Sequence, residues 1–117
     1  MKTTIYHNPR CSKSRQTLEL LNEKNVQPEI VCYLDDTPDK ETLDNILKML
    51  NMEPRDLMRT HEKVYKEAGL DNPELSRDEL IEAMIKHPIL IERPIVVTSK
   101  NKAAIGRPPE TVLSILD

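Results

Sequence analysis

The sequence contains no Phe and no Trp, and its only aromatic side chains are three Tyr. A core must therefore come from Leu, Ile, Val and Met. Cysteine is scarce too. Cys11 and Cys32 are too few for a disulfide framework, which leads us to expect a reduced, cytoplasmic compartment. No apolar run approaches the ~18 residues of a membrane helix, and no charged-then-apolar signal opens the chain, so no membrane partner is expected. An excess of basic residues is also missing. The formal net charge is −3, which argues against a nucleic-acid partner, since phosphate binding draws on net or clustered positive charge.

What is present suits one soluble domain. The 117 residues favour a single unit over 1–117. A chain of this length buries roughly 65% of its unfolded surface, enough for one core without disulfides. Residues 3–7 read as a strand ended by Asn8-Pro9, and about 14–24 as a helix with Leu18, Leu20 and Leu21 on its apolar side. Glu29-Ile30-Val31-Cys32-Tyr33-Leu34 reads as a second strand. The resulting β-α-β unit implies a parallel pair with a right-handed crossover.

A helical insert at about 38–87 follows. Pro38 is placed at the first position of a helix carrying Leu43, Ile46, Leu47 and Leu50. Glu53-Pro54 begins a short helix, and another near 61–68 is capped by a left-handed Gly69. Ser76-Arg77-Asp78-Glu79 fits a capping box, and Pro88 stops the helix it starts. Pro94-Ile95-Val96-Val97-Thr98 is the clearest strand. It turns through Ser99–Lys102 into Ala103-Ala104-Ile105, and Glu110 to Leu116 reads as a last helix. The order β-α-β, helical insert, β-β-α predicts an α/β fold of thioredoxin-like type, a mixed sheet flanked by helices. Such a plan often has a cis Pro at the start of the third strand, where Arg93-Pro94 stands.

The chemistry centres on Cys11, at the handover from strand to helix. A free cysteine is only about 3% thiolate at pH 7. Unpaired N–H groups and the dipole at a helix start stabilise an anion, and His7, Arg10 and Arg15 stand nearby. The same N–H groups would hold an oxyanion. Spacing removes several alternatives. Ser14 stands where a dithiol pair would carry its second cysteine. A Cys-x5-Arg phosphatase loop would need Arg at position 17, which is Thr17. No His or Cys lies close enough to suggest a metal site. What remains is a single nucleophilic thiol that needs an external thiol to complete a redox cycle. Cys32, in an apolar strand, reads as core. Arg93 and Arg107 border prolines at element boundaries, and Arg59 sits in the polar insert. His7 is placed either to support the thiolate or to cap its strand.

Three motifs occur in order: Ile5-Tyr6-His7-Asn8-Pro9-Arg10-Cys11-Ser12-Lys13-Ser14-Arg15; His87-Pro88 with Glu92-Arg93-Pro94-Ile95-Val96-Val97; and Ile105-Gly106-Arg107-Pro108-Pro109. Over essentially the whole chain they resemble the glutaredoxin-coupled arsenate reductase (ArsC) family, in its short YfgD-type form. The resemblance implies that Cys11 is the nucleophile, that His7 and Ser14 support it, and that Arg59, Arg93 and Arg107 bind the oxyanion. It implies thiolate attack on arsenate, adduct formation with glutathione as co-substrate, reduction by glutaredoxin, and release of arsenite, with no bound cofactor. Two other readings fit these residues. One is a non-enzymatic regulator resembling the Spx group, which binds RNA polymerase, although that group commonly carries Cys-x-x-Cys here. The other is a thiol enzyme acting on a different oxyanion or on glutathione mixed disulfides.

Overall fold

The computed structural model describes residues 2–116. The chain forms two compact units, Met1–Asp36 with Arg93–Asp117, and Thr37–Glu92.

The first unit is built on a four-stranded sheet. Strands β1 (Thr4–His7), β2 (Glu29–Cys32), β3 (Ile95–Val97) and β4 (Ala103–Ile105) stand in the order β2-β1-β3-β4. β1 runs parallel to β2 and antiparallel to β3, and β3 and β4 form an antiparallel hairpin. Helix α1 (Ser12–Glu23) provides the crossover between the parallel strands. This is the thioredoxin-like order expected from the sequence. Register explains the core: Ile5 pairs with Val96 and Val96 with Ala104, so the three make one row across the sheet. Leu21 and Val112 join that row, with Leu18, Leu20, Val26, Ile115 and Leu116 partly buried around it. Leu21 is fully buried, so Leu21→Ala should cost about 2–5 kcal/mol.

Two local expectations change here. The stripe of α1 that is fully buried is Ser14, Thr17 and Leu21, not the three leucines. Its N-terminal half is polar because Ser14 bonds to the β1 end and Thr17 Oγ1 donates to the Lys13 carbonyl at 2.8 Å. The last helix is a 3-10 helix over Pro109–Ile115. Pro108 is its N-cap and Pro109 its first residue, positions where a missing N–H costs a helix nothing.

The second unit is helical: α2 (Lys40–Leu50), α3 (Pro54–Leu57), α4 (Lys63–Glu67) and α5 (Arg77–Lys86), then a 3-10 turn over Pro88–Leu90. Its core holds Leu43, Ile46, Leu47, Leu57, Leu80, Ile81, Met84 and Leu90. Helix α2 starts later than expected. Asp39 is its N-cap, accepting the Thr42 N–H at 2.8 Å, so Pro38 lies outside it. A proline at N1 would only dispense with a donor, whereas an aspartate cap satisfies one. Gly69 takes the expected left-handed conformation (φ 68°) after α4. Arg55 ties this unit's loops together by donating to Tyr65 Oη at 2.7 Å and to the Leu70 carbonyl at 2.6 Å. Among the described residues, no helix is long and apolar enough to cross a membrane.

Candidate active site

The loop between β1 and α1 is shaped by Asn8. Its side-chain Oδ1 accepts the Arg10 N–H at 3.0 Å, and its carbonyl accepts the Cys11 N–H at 3.0 Å. This is the Asx-turn chemistry that lets Asn close a tight bend on its own backbone. The Asn8 N–H donates to Ser14 Oγ at 3.0 Å. Arg15 reaches back from the first turn of α1 and donates to the Pro9 carbonyl at 2.9 Å. Cys11 ends the loop as the N-cap of α1, with an extended backbone and no side-chain capping bond. Both cysteines are free thiols and partly exposed.

Ser14 is fully buried, and its hydroxyl shares a 2.6 Å hydrogen bond with His7 Nδ1. The position that a dithiol enzyme would give to its second cysteine is therefore filled by a hydroxyl locked to a histidine. His7 is itself buried at the end of β1. Its burial, then the charge of Arg15, hold its pKa below the ordinary imidazole value. At neutral pH it is uncharged and acts through its hydrogen bond rather than through charge.

Arg107 reaches Cys11 from 96 positions away. One terminal nitrogen lies 3.4 Å from Cys11 Sγ, while Nε donates to the Arg93 carbonyl at 2.8 Å. A charged donor to sulfur suits a thiolate better than a thiol. The Arg93–Pro94 and Arg107–Pro108 bonds are both cis. Two local features hold Arg107 there. The Gly106 N–H donates to the Pro94 carbonyl at 2.9 Å. A Cβ at Gly106 would run into Thr17 Oγ1 and would lie 2.8 Å from Pro94 Cγ. Only glycine fits between that proline and α1, so Gly106 lets the chain approach closely enough to bring Arg107 to the sulfur. Thr17, where a phosphatase loop would need arginine, is the packing partner of this glycine.

The structure thus gathers Cys11, Arg107 and the Arg93 backbone at one point, with the His7–Ser14 pair bonded to the same loop. Arg93 is half-buried, with Nε and Nη1 enclosed. Arg59 belongs to the helical unit, where it forms ion pairs with Glu62 at 3.0 Å and Glu92 at 3.2 Å. Its N–H donates to the Leu90 carbonyl and the Glu92 N–H to the Leu57 carbonyl, beside the Met58–Ile91 bridge. Cys32 departs from the expected core position. Among the described residues β2 is an edge strand of the sheet; Ile30 on it is 49% exposed, and Cys32 is half-buried in a groove beside the Cys11 loop. Sequence reasoning took Arg15 only as a nearby cation and Asn8 only as a strand end, and gave Gly106 no role of its own. Asn8, two positions before Arg10 and next to a proline, carried a readable turn signal. Arg15 and Gly106 act through partners that only folding supplies.

Electrostatics single out this end of the molecule. Lys2, Arg10, Lys13 and Arg15 precede the first acidic residue, Glu19, in a chain whose net charge is −3. The first turn of α1 contains no acid, although acids there are worth about 0.3–1 kcal/mol each to a helix. Cysteine, cations and open N–H groups are placed as a site for an anion would need them.

The family model for the ArsC family matches residues 6–115. YfgD of Escherichia coli strain K12, a protein named without an activity, is 56% identical over 113 residues, covering 96% of this chain and 94% of its own. An arsenate reductase of Haemophilus influenzae is 51% identical over 117 residues, 99% of this chain and 100% of its own. The solved arsenate reductase of Vibrio cholerae superposes with a TM-score of 0.95 at 49% identity, covering 99% and 98% of the two chains. The match spans both units and all three motifs, and the chain belongs to the ArsC family.

Proposed function

We propose that this protein is an arsenate reductase that works through one cysteine and borrowed thiols. The observation that carries the reading is the Arg107–Cys11 contact at the acid-free start of α1. The relatives named arsenate reductase, about 50% identical over the full length, supply the substrate. Cys11 Sγ attacks arsenic and displaces a hydroxide or water, while Arg107 and the first-turn N–H groups hold the remaining oxygens. Charge-assisted hydrogen bonds of this kind are worth about 1.5–3 kcal/mol each. His7 and Ser14 keep the loop in register. The resemblance also assigns the Arg93 side chain and Arg59 to the oxyanion.

Ser14 leaves Cys11 without the second cysteine of a Cys-x-x-Cys pair, and in this reading the electrons come from outside thiols. In balance, arsenic acid and two thiols give arsenous acid, one disulfide and water: As(V) gains two electrons and two thiols are oxidised to a disulfide. Glutathione and glutaredoxin, in the reducing cytoplasm, are the proposed thiol sources, and no resident cofactor takes part. The test is arsenite formation from arsenate with glutathione and glutaredoxin supplied. Wild-type protein should turn over, Cys11→Ala should give no arsenite, and omitting the thiols should stop the reaction. A wild-type protein that makes no arsenite with both thiols present would sink the reading.

A further inference from the structure

Beside the Cys11 loop runs a groove of about 330 Å³, lined by His7, Asn8, Pro9, Arg10, Cys32, Leu34 and Asp35. It lies wholly within the sheet unit and uses none of the groups assigned to the oxyanion. Its walls are the β1–α1 loop on one side and the end of β2 with its following turn on the other. That turn is fixed by the Cys32 carbonyl, which accepts the N–H groups of Asp35 at 3.0 Å and Asp36 at 2.9 Å. The groove carries one exposed cation, Arg10, and one exposed anion, Asp35, with apolar surface from Leu34, which is 40% exposed, and Pro9.

We infer that this groove seats the peptide body of the thiol co-substrate, a zwitterionic tripeptide of the glutathione class. The inference rests on the thiol-dependent reading above and adds the place where the thiol arrives. The charge pattern selects the ligand. A simple oxyanion would meet Asp35 and be repelled. A peptide with carboxylates and one ammonium satisfies both ends, its carboxylate on Arg10 and its ammonium on Asp35, with its aliphatic stem over Leu34 and Pro9. Arg10 immediately precedes Cys11 in the β1–α1 loop that forms one wall of the groove, so a peptide held on Arg10 brings its thiol to the loop that carries Cys11. Binding is non-covalent, so the groove presents the thiol without spending Cys32.

Cys32 provides the readout. In a Cys11→Ser protein, S-methylglutathione, which cannot form a disulfide, should slow alkylation of Cys32 by N-ethylmaleimide, while N-acetyl-S-methylcysteine, which lacks the charged ends, should not. In the coupled assay, Asp35→Lys should raise the KM for glutathione about two- to fivefold, the range of an exposed ion pair, leaving the KM for arsenate unchanged. Equal protection by both compounds, absence of protection, or an unchanged glutathione KM in Asp35→Lys would overturn the inference. The protection experiment needs no arsenate, so its result stands apart from the failure of the reductase reading.

Discussion

Helices α1 and α5 begin in opposite ways. At α5, Ser76 Oγ accepts the Glu79 N–H at 3.2 Å and Glu79 returns a bond to the Ser76 N–H at 3.0 Å, with Asp78 and Glu79 facing the positive helix end. The capping box and the two first-turn acids follow the local rules for starting a helix, and the one cation there, Arg77, is paired with Asp44 at 2.8 Å. At α1, the N-cap is Cys11 with no side-chain bond, the first turn has no acid, and Lys13 and Arg15 add positive charge where the dipole already supplies it. One chain can therefore cap a helix well and leaves this one open. The difference is what the proposed function asks for: an α1 start without its own cap or acids leaves room for an anion from outside, at a cost in local stability. Sites of this kind are where sequence-level rules are expected to fail.

The largest effect should come from removing the distant cation. Arg107→Ala should lower kcat/KM for arsenate about 10- to 150-fold, equivalent to a charge-assisted bond of about 1.5–3 kcal/mol. Steady-state kinetics on a variant with unchanged urea midpoint would measure it, and a smaller loss would mean that Arg107 does not hold the substrate. Next comes the well-capped helix. Ser76→Ala should cost about 1 kcal/mol of unfolding free energy and leave arsenite formation unaltered. A drop in turnover matching that of Arg107→Ala would erase the contrast between the two helix starts. The reverse experiment gives α1 the acid it lacks. Lys13→Glu should gain about 0.3–1 kcal/mol in urea unfolding while weakening arsenate use. A variant that is both less stable and equally active would contradict the idea of an end held open.

The smallest effect concerns His7. Its pKa in the folded protein is lowered by burial and then by Arg15, so the unfolded chain takes up the proton first. Stability is complete above the unfolded value near 6.5 and falls as pH drops from there towards the lower folded value. Urea unfolding of wild type and His7→Asn at pH 8 and pH 5 should show the steeper acid loss in wild type. Parallel losses would place His7 outside this linkage.

Much of this contrast was legible before folding. The Ser76–Glu79 box, the Gly69 cap and the strand expected at Pro94–Thr98 follow from short-range chemistry, and each is found in place, the strand one residue shorter at either end. The β-α-β start was readable because Ile5, Leu21 and Ile30 fall in segments of clear period. What could not be read depends on neighbours far along the chain. The edge position of β2 and the place of Cys32 in a groove wall follow from strand order and from what packs on the sheet, not from its apolar sequence. The burial of Ser14 and Thr17 depends on β1 and on Gly106 packing against α1. The Arg107–Cys11 contact joins two ends of the sequence, and only the resemblance to a family had pointed to it.

The central claim is that the open start of α1 and Arg107 together hold an oxyanion against Cys11. The most direct measurement is the rate at which iodoacetamide alkylates Cys11, mapped by mass spectrometry, with and without arsenate. Arsenate should protect Cys11 in the wild type, and Arg107→Ala should need at least about tenfold more arsenate for the same protection. A wild-type Cys11 alkylated at the same rate with and without arsenate would contradict the account.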